Sequence, residues 1–158
     1  MLMNFKRNSI FVLVVLAFFM SCEKAEDISP IPAISYYSMG VVDTTSESNY
    51  LEVVVDFIDG DGNISFYEQD TIKNIRYTLY EMVNDTFVKA EIAFPLFYKI
   101  PYYEPTGTDK LLQGKIKTKF YLDDLQTFDT IMFKCYIFDR AFNESNVIST
   151  PTILVDTL

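Results

Sequence analysis

The chain has 158 residues, a formal net charge of −9 and neither histidine nor tryptophan. The absence of histidine excludes catalysis by a serine–histidine or cysteine–histidine pair and removes the commonest zinc ligand. The acidic balance argues against binding to nucleic acid, because like charges repel.

The first 21 residues have the pattern of a secretory signal peptide. Lys6 and Arg7 give a positive start, an unbroken apolar run follows over residues 10–20, and Ser21 precedes Cys22. The run is shorter than the roughly 20 residues that a membrane-spanning helix needs, so a retained membrane helix is the weaker interpretation. The pattern predicts that the segment 1–21 is cleaved after export.

The residues before Cys22 resemble a lipobox, where signal peptidase II cuts in front of a cysteine whose thiol carries diacylglycerol. Phe19 and Met20 replace the commoner leucine and small residue. The alternative is an ordinary signal peptide with an incidental cysteine nearby. The resemblance implies lipidation of Cys22, whose acyl chains would anchor the protein stably to a membrane.

The segment 22–32 is predicted to be a lipidated tether. It begins with a short acidic cluster, made of Glu23, Glu26 and Asp27. In some diderm bacteria, such a cluster resembles a tag for export to the outer face of the outer membrane. Pro30 and Pro32 would stiffen the approach to the folded domain. The predicted location is therefore the outer membrane, lipid-anchored, with the cell surface as the orientation that the tag implies.

From Ala33 onward, apolar and polar residues alternate in short segments separated by polar turns, which is typical of β-strands. Asn84-Asp85 is a favoured hairpin turn, and Pro101 and Pro105 mark an edge segment. The predicted strands cover residues 33–42, 50–58, 74–83, 86–94, 97–105, 111–122, 131–139 and 146–155. We therefore predict one all-β domain over residues 33–158, folded as an antiparallel β-sandwich.

Side chains of two later strands have predicted environments. Lys115, Lys117 and Lys119 alternate with apolar or small residues, so they are expected to point to water. Cys135 lies on the apolar face of its strand and is expected in the core. With Cys22 acylated, it has no partner for an intrachain disulfide.

The segment FDRAFNESNVIST resembles the last hairpin of bacterial Ig-like domains, in which a strand ends in D-x-A-x-N-x-S. Those positions are occupied by Asp139, Ala141, Asn143 and Ser145. Phe142 stands where a glycine usually follows the alanine. The resemblance implies that the β-sandwich is of the Ig-like type.

A longer resemblance covers most of the mature chain. It consists of DGDGNI after a β-strand, then YKIPYYEPTGTDKLLQGKIK, then DTIMFKCYIFDRAFNESN. This order is similar to that of a family of small uncharacterised bacterial surface lipoproteins with an Ig-like domain. The resemblance implies a fold and a location, and it implies no activity.

The segment DFIDGDGNISFYEQD carries ligand-like spacing. Calcium takes six to eight oxygens from carboxylates, amides and backbone carbonyls on a tightly curved chain. Alternating polar residues supply such oxygens here, glycines loosen the backbone between them, and two acidic residues follow downstream. The candidate calcium ligands are Asp59, Asp61, Asn63, Glu68 and Asp70.

The same loop matches part of an EF-hand calcium loop. Asp59 and Asp61 fall on its third and fifth positions, Gly62 on the turn glycine and Glu68 on the terminal bidentate glutamate. Phe57 stands at the first position, and the flanking residues predict strands instead of helices. The loop is thus either a calcium site on a β-scaffold or an ordinary turn, because Asp-Gly and Gly-Asn pairs form turns without a metal.

The sequence favours a non-enzymatic binding or structural module of the cell envelope. Its partner would be a glycan or an envelope protein, met by the pairs Tyr36-Tyr37 and Tyr102-Tyr103. The same tyrosines could instead serve strand pairing and the core. Two alternatives are a carboxylate-dependent glycan hydrolase, for which no motif is recognisable, and an accessory subunit of an outer-membrane complex.

Overall fold

The structure is a computed structural model that describes residues 28–45, 48–108 and 110–155. In these ranges the chain is all-β, apart from one 3₁₀ turn at Leu122–Asp124. None of the helical segments there has the length and apolar character needed to cross a membrane. The segment 1–21 and Cys22 lie outside the described residues, as does most of the tether.

The described residues form strands β1 (Ala33–Val42), β2 (Tyr50–Asp59), β3 (Ile75–Val83), β4 (Thr86–Lys89), β5 (Leu96–Tyr98), β6 (Leu112–Tyr121), β7 (Thr130–Ile137), β8 (Ile148–Ser149) and β9 (Ile153–Leu154). One sheet has the order β1-β2-β6. The other has the order β4-β3-β7-β8, with β5 also paired to β3 and β9 to β7. Every strand pair is antiparallel. The prediction of an all-β fold with antiparallel sheets is confirmed, and the arrangement is consistent with a β-sandwich.

The core lies between the two sheets and is built from alternate residues of the long strands. Leu51, Val53 and Val55 of β2 are fully buried, as are Phe133 and Cys135 of β7. Because successive side chains of a strand point to opposite faces, these spacings place each set on one buried face. Aromatic contacts add to the core, and the stacked rings of Phe120 and Phe133 lie 4.4 Å apart between centroids.

Three predicted strands are shorter or divided in the structure, and one of them, the segment 146–155, pairs with β7 only through the two-residue strands β8 and β9. The segment 86–94 pairs with β3 only as far as Lys89, and the segment 97–105 contributes only its first residues to β5. The backbone N–H of Ala90 still donates to Leu79 O at 3.0 Å, after which the chain leaves the sheet. It rejoins β3 at Leu96. Prolines at positions 95, 101 and 105 lack the N–H that a longer ladder would need.

The lysine row of β6 points to water as predicted, but it is not merely solvated. Lys115 Nζ lies 2.5 Å from Asp56 Oδ1, and Lys117 Nζ lies 3.1 Å from Glu52 Oε1. Both acids belong to β2, the neighbouring strand. The row is therefore one half of a cross-strand charge ladder, of the kind that favours one register between two strands.

Candidate metal centre

Carboxylates from the two sheets meet at one end of the fold. Asp59 is the last residue of β2, Asp61 lies in the loop that follows, and Asp139 lies just after β7. Each of the three offers one carboxylate oxygen, and these oxygens lie within 4.8 Å of one another. The cluster therefore lies where the end of β2 in one sheet comes close to the end of β7 in the other.

Asp59 is fully buried, and neither of its carboxylate oxygens has a hydrogen-bond partner among the described residues. The buried Oδ1 of Asn63 likewise has none. The Nδ2 of Asn63 donates to Asp61 Oδ2 at 2.7 Å, which fixes the amide group beside the carboxylates. Burying an ionised carboxylate without compensation costs several kcal/mol. These three oxygens are thus buried acceptors without a hydrogen-bond donor among the described residues, which is a property that metal ligands share.

The electrostatic potential at Asp59 is negative, because the carboxylates of Asp61 and Asp139 lie beside it. Burial first, and then the charges of Asp61 and Asp139, together raise the pKa of its carboxyl from 3.8 to about 7. The backbone N–H of Asn63 opposes this pKa shift, although it does not reach hydrogen-bond geometry. The salt bridges found in the described ranges involve other acids, namely Asp56, Glu52 and Glu104.

Asp139 is fully buried and is oriented by the turn that it begins. Its Oδ1 accepts the backbone N–H of Asn143 at 2.8 Å, and its Oδ2 accepts Asn143 Nδ2 at 2.8 Å. An ionised carboxylate has about four lone-pair sites, so two bonds leave capacity on both oxygens. The backbone N–H of Arg140 donates to Asn63 O at 3.1 Å and ties this corner to the loop after β2.

The glycines of the loop are required by close packing. A Cβ on Gly60 would collide with the carbonyl oxygens of Ile28 and Ser29. Gly62 has a φ of 67°, and a Cβ there would collide with the carbonyl oxygen of Lys110. Each glycine therefore allows the loop to curve tightly beside other backbone segments, as a chain that surrounds a small cation must.

The structure brings together three of the five ligands predicted from sequence. Asp59, Asp61 and Asn63 lie at the cluster, whereas Glu68 and Asp70 are not members of it. The Oδ2 of Asp70 instead accepts the backbone N–H of Tyr67 at 3.1 Å and closes a local turn. Glu68 is exposed on that turn.

Two polar residues near the cluster were missed as site residues. Asp139 carried a signal, since it opens the D-x-A-x-N-x-S motif, but that motif was interpreted only as a hairpin. The second is Asn74, a fully buried residue whose Nδ2 donates to the carbonyls of Ile64 and Phe138 at 2.7 and 3.0 Å. It connects the loop after β2 to the end of β7 just beside the cluster.

Three carboxylates and one amide oxygen lie together here, and hard oxygen groups of this kind suit calcium better than zinc or copper as ligands. Among the described residues no nitrogen or sulfur ligand joins the cluster, because the chain has no histidine and Cys135 is buried on β7. Comparison with known proteins finds no family model, no curated protein and no solved structure that matches this chain.

Proposed function

We propose that this chain is a non-enzymatic, lipid-anchored module of the bacterial outer membrane, with an Ig-like β-sandwich that a calcium ion stabilises. One observation carries the calcium assignment. Asp59 is fully buried with both oxygens unpartnered, beside the carboxylates of Asp61 and Asp139. A cation between the three would replace mutual repulsion with attraction and supply the missing partner of Asp59.

Calcium fits this ligand set better than magnesium. Calcium accepts six to eight oxygens in a flexible arrangement, and carboxylates can bind it through one oxygen or two. Asp59 supplies two unpartnered oxygens and Asn63 a third, with Asp61 and Asp139 beside them. Magnesium demands near-ideal octahedral geometry and gives up its water reluctantly.

The same carboxylates suit a cation better than the alternative, a glycan hydrolase. Hydrolases of that type place two carboxyl groups about 5–10 Å apart, on either side of an open site that admits a sugar. Here the oxygens lie within 4.8 Å of one another, and both Asp59 and Asp139 are fully buried. A sugar ring has no access to Asp59, whereas a single ion needs only the space between the oxygens.

The Ig-like type is supported by the strand order. Sheets β1-β2-β6 and β4-β3-β7-β8 correspond to strands A-B-E and C′-C-F-G of an Ig-related sandwich, in which the chain changes sheet from β2 to β3, from β5 to β6 and from β6 to β7. The final turn supports it as well. Asp139 and Asn143 of the D-x-A-x-N-x-S motif are hydrogen-bonded to each other at the corner after β7.

Exposed tyrosines support a glycan or an envelope protein as the partner of the module. Tyr37 and Tyr103 are 55% and 58% exposed. Lys115 Nζ lies 3.2 Å from the ring centroid of Tyr37 and covers one face, so Tyr103 is the better candidate for stacking on a sugar. A glycan array with the full chain should show binding that Tyr103→Ala removes. No bound glycan would instead favour the role of accessory subunit in an outer-membrane complex.

The calcium assignment is tested by thermal unfolding of the full chain in detergent, with calcium and with magnesium as control. Calcium at about 100 times its Kd should stabilise the fold by about 2.7 kcal/mol. For a domain of this size, that corresponds to a Tm increase of roughly 5–15 °C. Asp59→Asn should lose the response. Asp56→Asn, which changes a half-exposed acid of the same strand outside the cluster, should keep it, and no calcium response in the wild type would refute the assignment.

The lipid anchor is tested by metabolic labelling with an alkyne fatty acid. The wild type should incorporate the label at Cys22, and Cys22→Ser should not. Cys135→Ser is the matched control and should label like the wild type. Equal labelling of wild type and Cys22→Ser would exclude lipidation of Cys22.

A further inference from the structure

The segment 28–34, which leads from the tether into β1, lies against the loop that carries the metal ligands. The backbone N–H of Gly60 donates to Ser29 O at 3.1 Å. Gly60 stands between Asp59 and Asp61, so this bond joins the segment to the centre of the ligand loop. Contact is close enough that a Cβ on Gly60 would collide with the carbonyl oxygens of Ile28 and Ser29.

The same segment is held on its other side by the corner that follows β7. The Oδ1 of Asn146 accepts the backbone N–H of Ile34 at 2.9 Å, and its Nδ2 donates to Ile34 O at 2.8 Å. Pro32 is fully buried between these two attachments. Asn146 belongs to the corner that starts at Asp139, the ligand from the second sheet. Both attachments therefore depend on elements that carry metal ligands.

The attachment nearest the proposed anchor, the hydrogen bond from Gly60 N–H to Ser29 O, is weak by itself. Ser29 is exposed, and its Oγ accepts the backbone N–H of Ile31 at 3.0 Å, a bond local to the segment. Ile31 is 51% exposed. Segments with few buried contacts open at low free energy and respond first when a neighbouring element loosens. Without a cation, repulsion between Asp59, Asp61 and Asp139 would loosen the loop on which Ser29 rests.

We infer that calcium at this site controls whether residues 28–32 are docked on the domain. The inference rests on the proposed function and adds a regulatory role to the same site. With calcium bound, the loop and the corner are drawn together and the segment is held. On calcium loss, the segment detaches as far as the Asn146 attachment. About five more residues then join the connection to the anchor, which lengthens it by at most about 17 Å at 3.4 Å per residue.

The inference is tested by amide hydrogen exchange of the segment 28–34 in the full chain in detergent, with calcium and with EDTA. Exchange in this segment should be at least tenfold slower with calcium, and peptides from β3 serve as the internal reference. If calcium raises the Tm but leaves exchange in the segment unchanged, the inference is wrong and the proposed function stands. If calcium changes neither quantity, both are wrong.

A variant of the segment itself separates docking from metal binding. Pro32→Ala shortens a fully buried side chain of the segment and changes neither a ligand nor the ligand loop. It should still bind calcium, measured by calorimetry, while its segment 28–34 exchanges faster in calcium than that of the wild type. Pro30→Ala is the matched control, because Pro30 is exposed, and it should behave as the wild type. Calcium protection of the segment in Pro32→Ala equal to that in the wild type would overturn the inference.

Discussion

A carboxylate oxygen of Asp139 lies within 4.8 Å of one of Asp59, although Asp59 ends a strand of one sheet and Asp139 follows a strand of the other. Both are fully buried. Two negative charges at this distance in a protein interior repel strongly unless a proton or a cation intervenes. The calcium-free protein has only the proton available, and its stability should therefore depend on pH at this site.

We expect the calcium-free fold to lose stability as pH rises from about 4 to about 7. Burial, together with Asp61 and Asp139, raises the pKa of Asp59 from 3.8 to about 7. Between these values the folded chain holds a proton that the unfolded chain has released, so the free energy of unfolding falls with pH. Urea unfolding in EDTA should show this fall in the wild type relative to Asp59→Asn. Parallel pH profiles for the two proteins in EDTA would contradict this prediction. In calcium, by contrast, the pH profile of the wild type should run parallel to that of Asp59→Asn.

Asn74 is expected to be among the most sensitive positions for stability. Its side chain donates to the carbonyls of Ile64 and Phe138 and accepts the backbone N–H of Ile100 at 3.0 Å. Asn74→Ala would leave these backbone groups unpaired in the interior, at a cost of roughly 2–4 kcal/mol. Chemical denaturation should show this loss, whereas Gln69→Ala at an exposed amide side chain should stay within about 0.5 kcal/mol of wild type. Equal midpoints for the two variants would refute the role of Asn74.

Phe142 combines an unfavourable backbone with a favourable side chain. Its φ is 63°, in the left-handed region, at the position where the bacterial Ig-like hairpins have glycine. Its ring stacks on Phe138 with centroids 5.8 Å apart. Phe142→Gly loses the ring but also the backbone strain, whereas Phe142→Ala loses the ring and keeps the strain. The glycine variant should therefore be more stable than the alanine variant by about 1 kcal/mol. A denaturation midpoint for Phe142→Ala at or above that of Phe142→Gly would disprove this.

Cys135 should be unreactive in the folded protein. It is fully buried on β7, and burial raises the pKa of its thiol to about 12. Since the thiolate is the reactive form, a disulfide reagent at pH 8 should modify Cys135 only after unfolding in guanidinium. Modification of the native protein within minutes would show that the thiol is accessible. A lipidated Cys22 contributes no thiol to this assay.

The long strands could be predicted from sequence because their pattern is local. Leu51, Val53 and Val55 alternate in β2 and are all fully buried. Asn84-Asp85 likewise forms the predicted turn, since both residues adopt positive φ. The same reasoning failed at residues 90–95, where the alternating Ile92 and Phe94 leave the sheet and Phe94 is 79% exposed. At this edge β3 pairs with β5 instead of with residues 90–94. Which of two segments pairs with the edge cannot be predicted from the pattern of either segment alone.

The candidate site could be predicted only where its residues are close in sequence. Asp59, Asp61 and Asn63 follow from the spacing of one loop. Asp139 could not be added in this way, because it reaches the cluster only when the two sheets pack together. Glu68 was predicted as a ligand from the EF-hand calcium loop, whose terminal glutamate leads into a helix. Here the chain turns instead at residues 67–70, where Lys99 Nζ donates to the carbonyls of Tyr67, Glu68 and Asp70.

The strand register gives the fold a direction relative to the lipid anchor proposed at Cys22. Ala33 pairs with Ile58 at the metal end, and Val42 pairs with Tyr50 at the opposite end. The β3–β4 turn at Asn84-Asp85 and the 3₁₀ turn at Leu122–Asp124 share that opposite end. A lipid on Cys22 would therefore connect to the fold at its metal end, and the two turns would lie at the end far from the anchor.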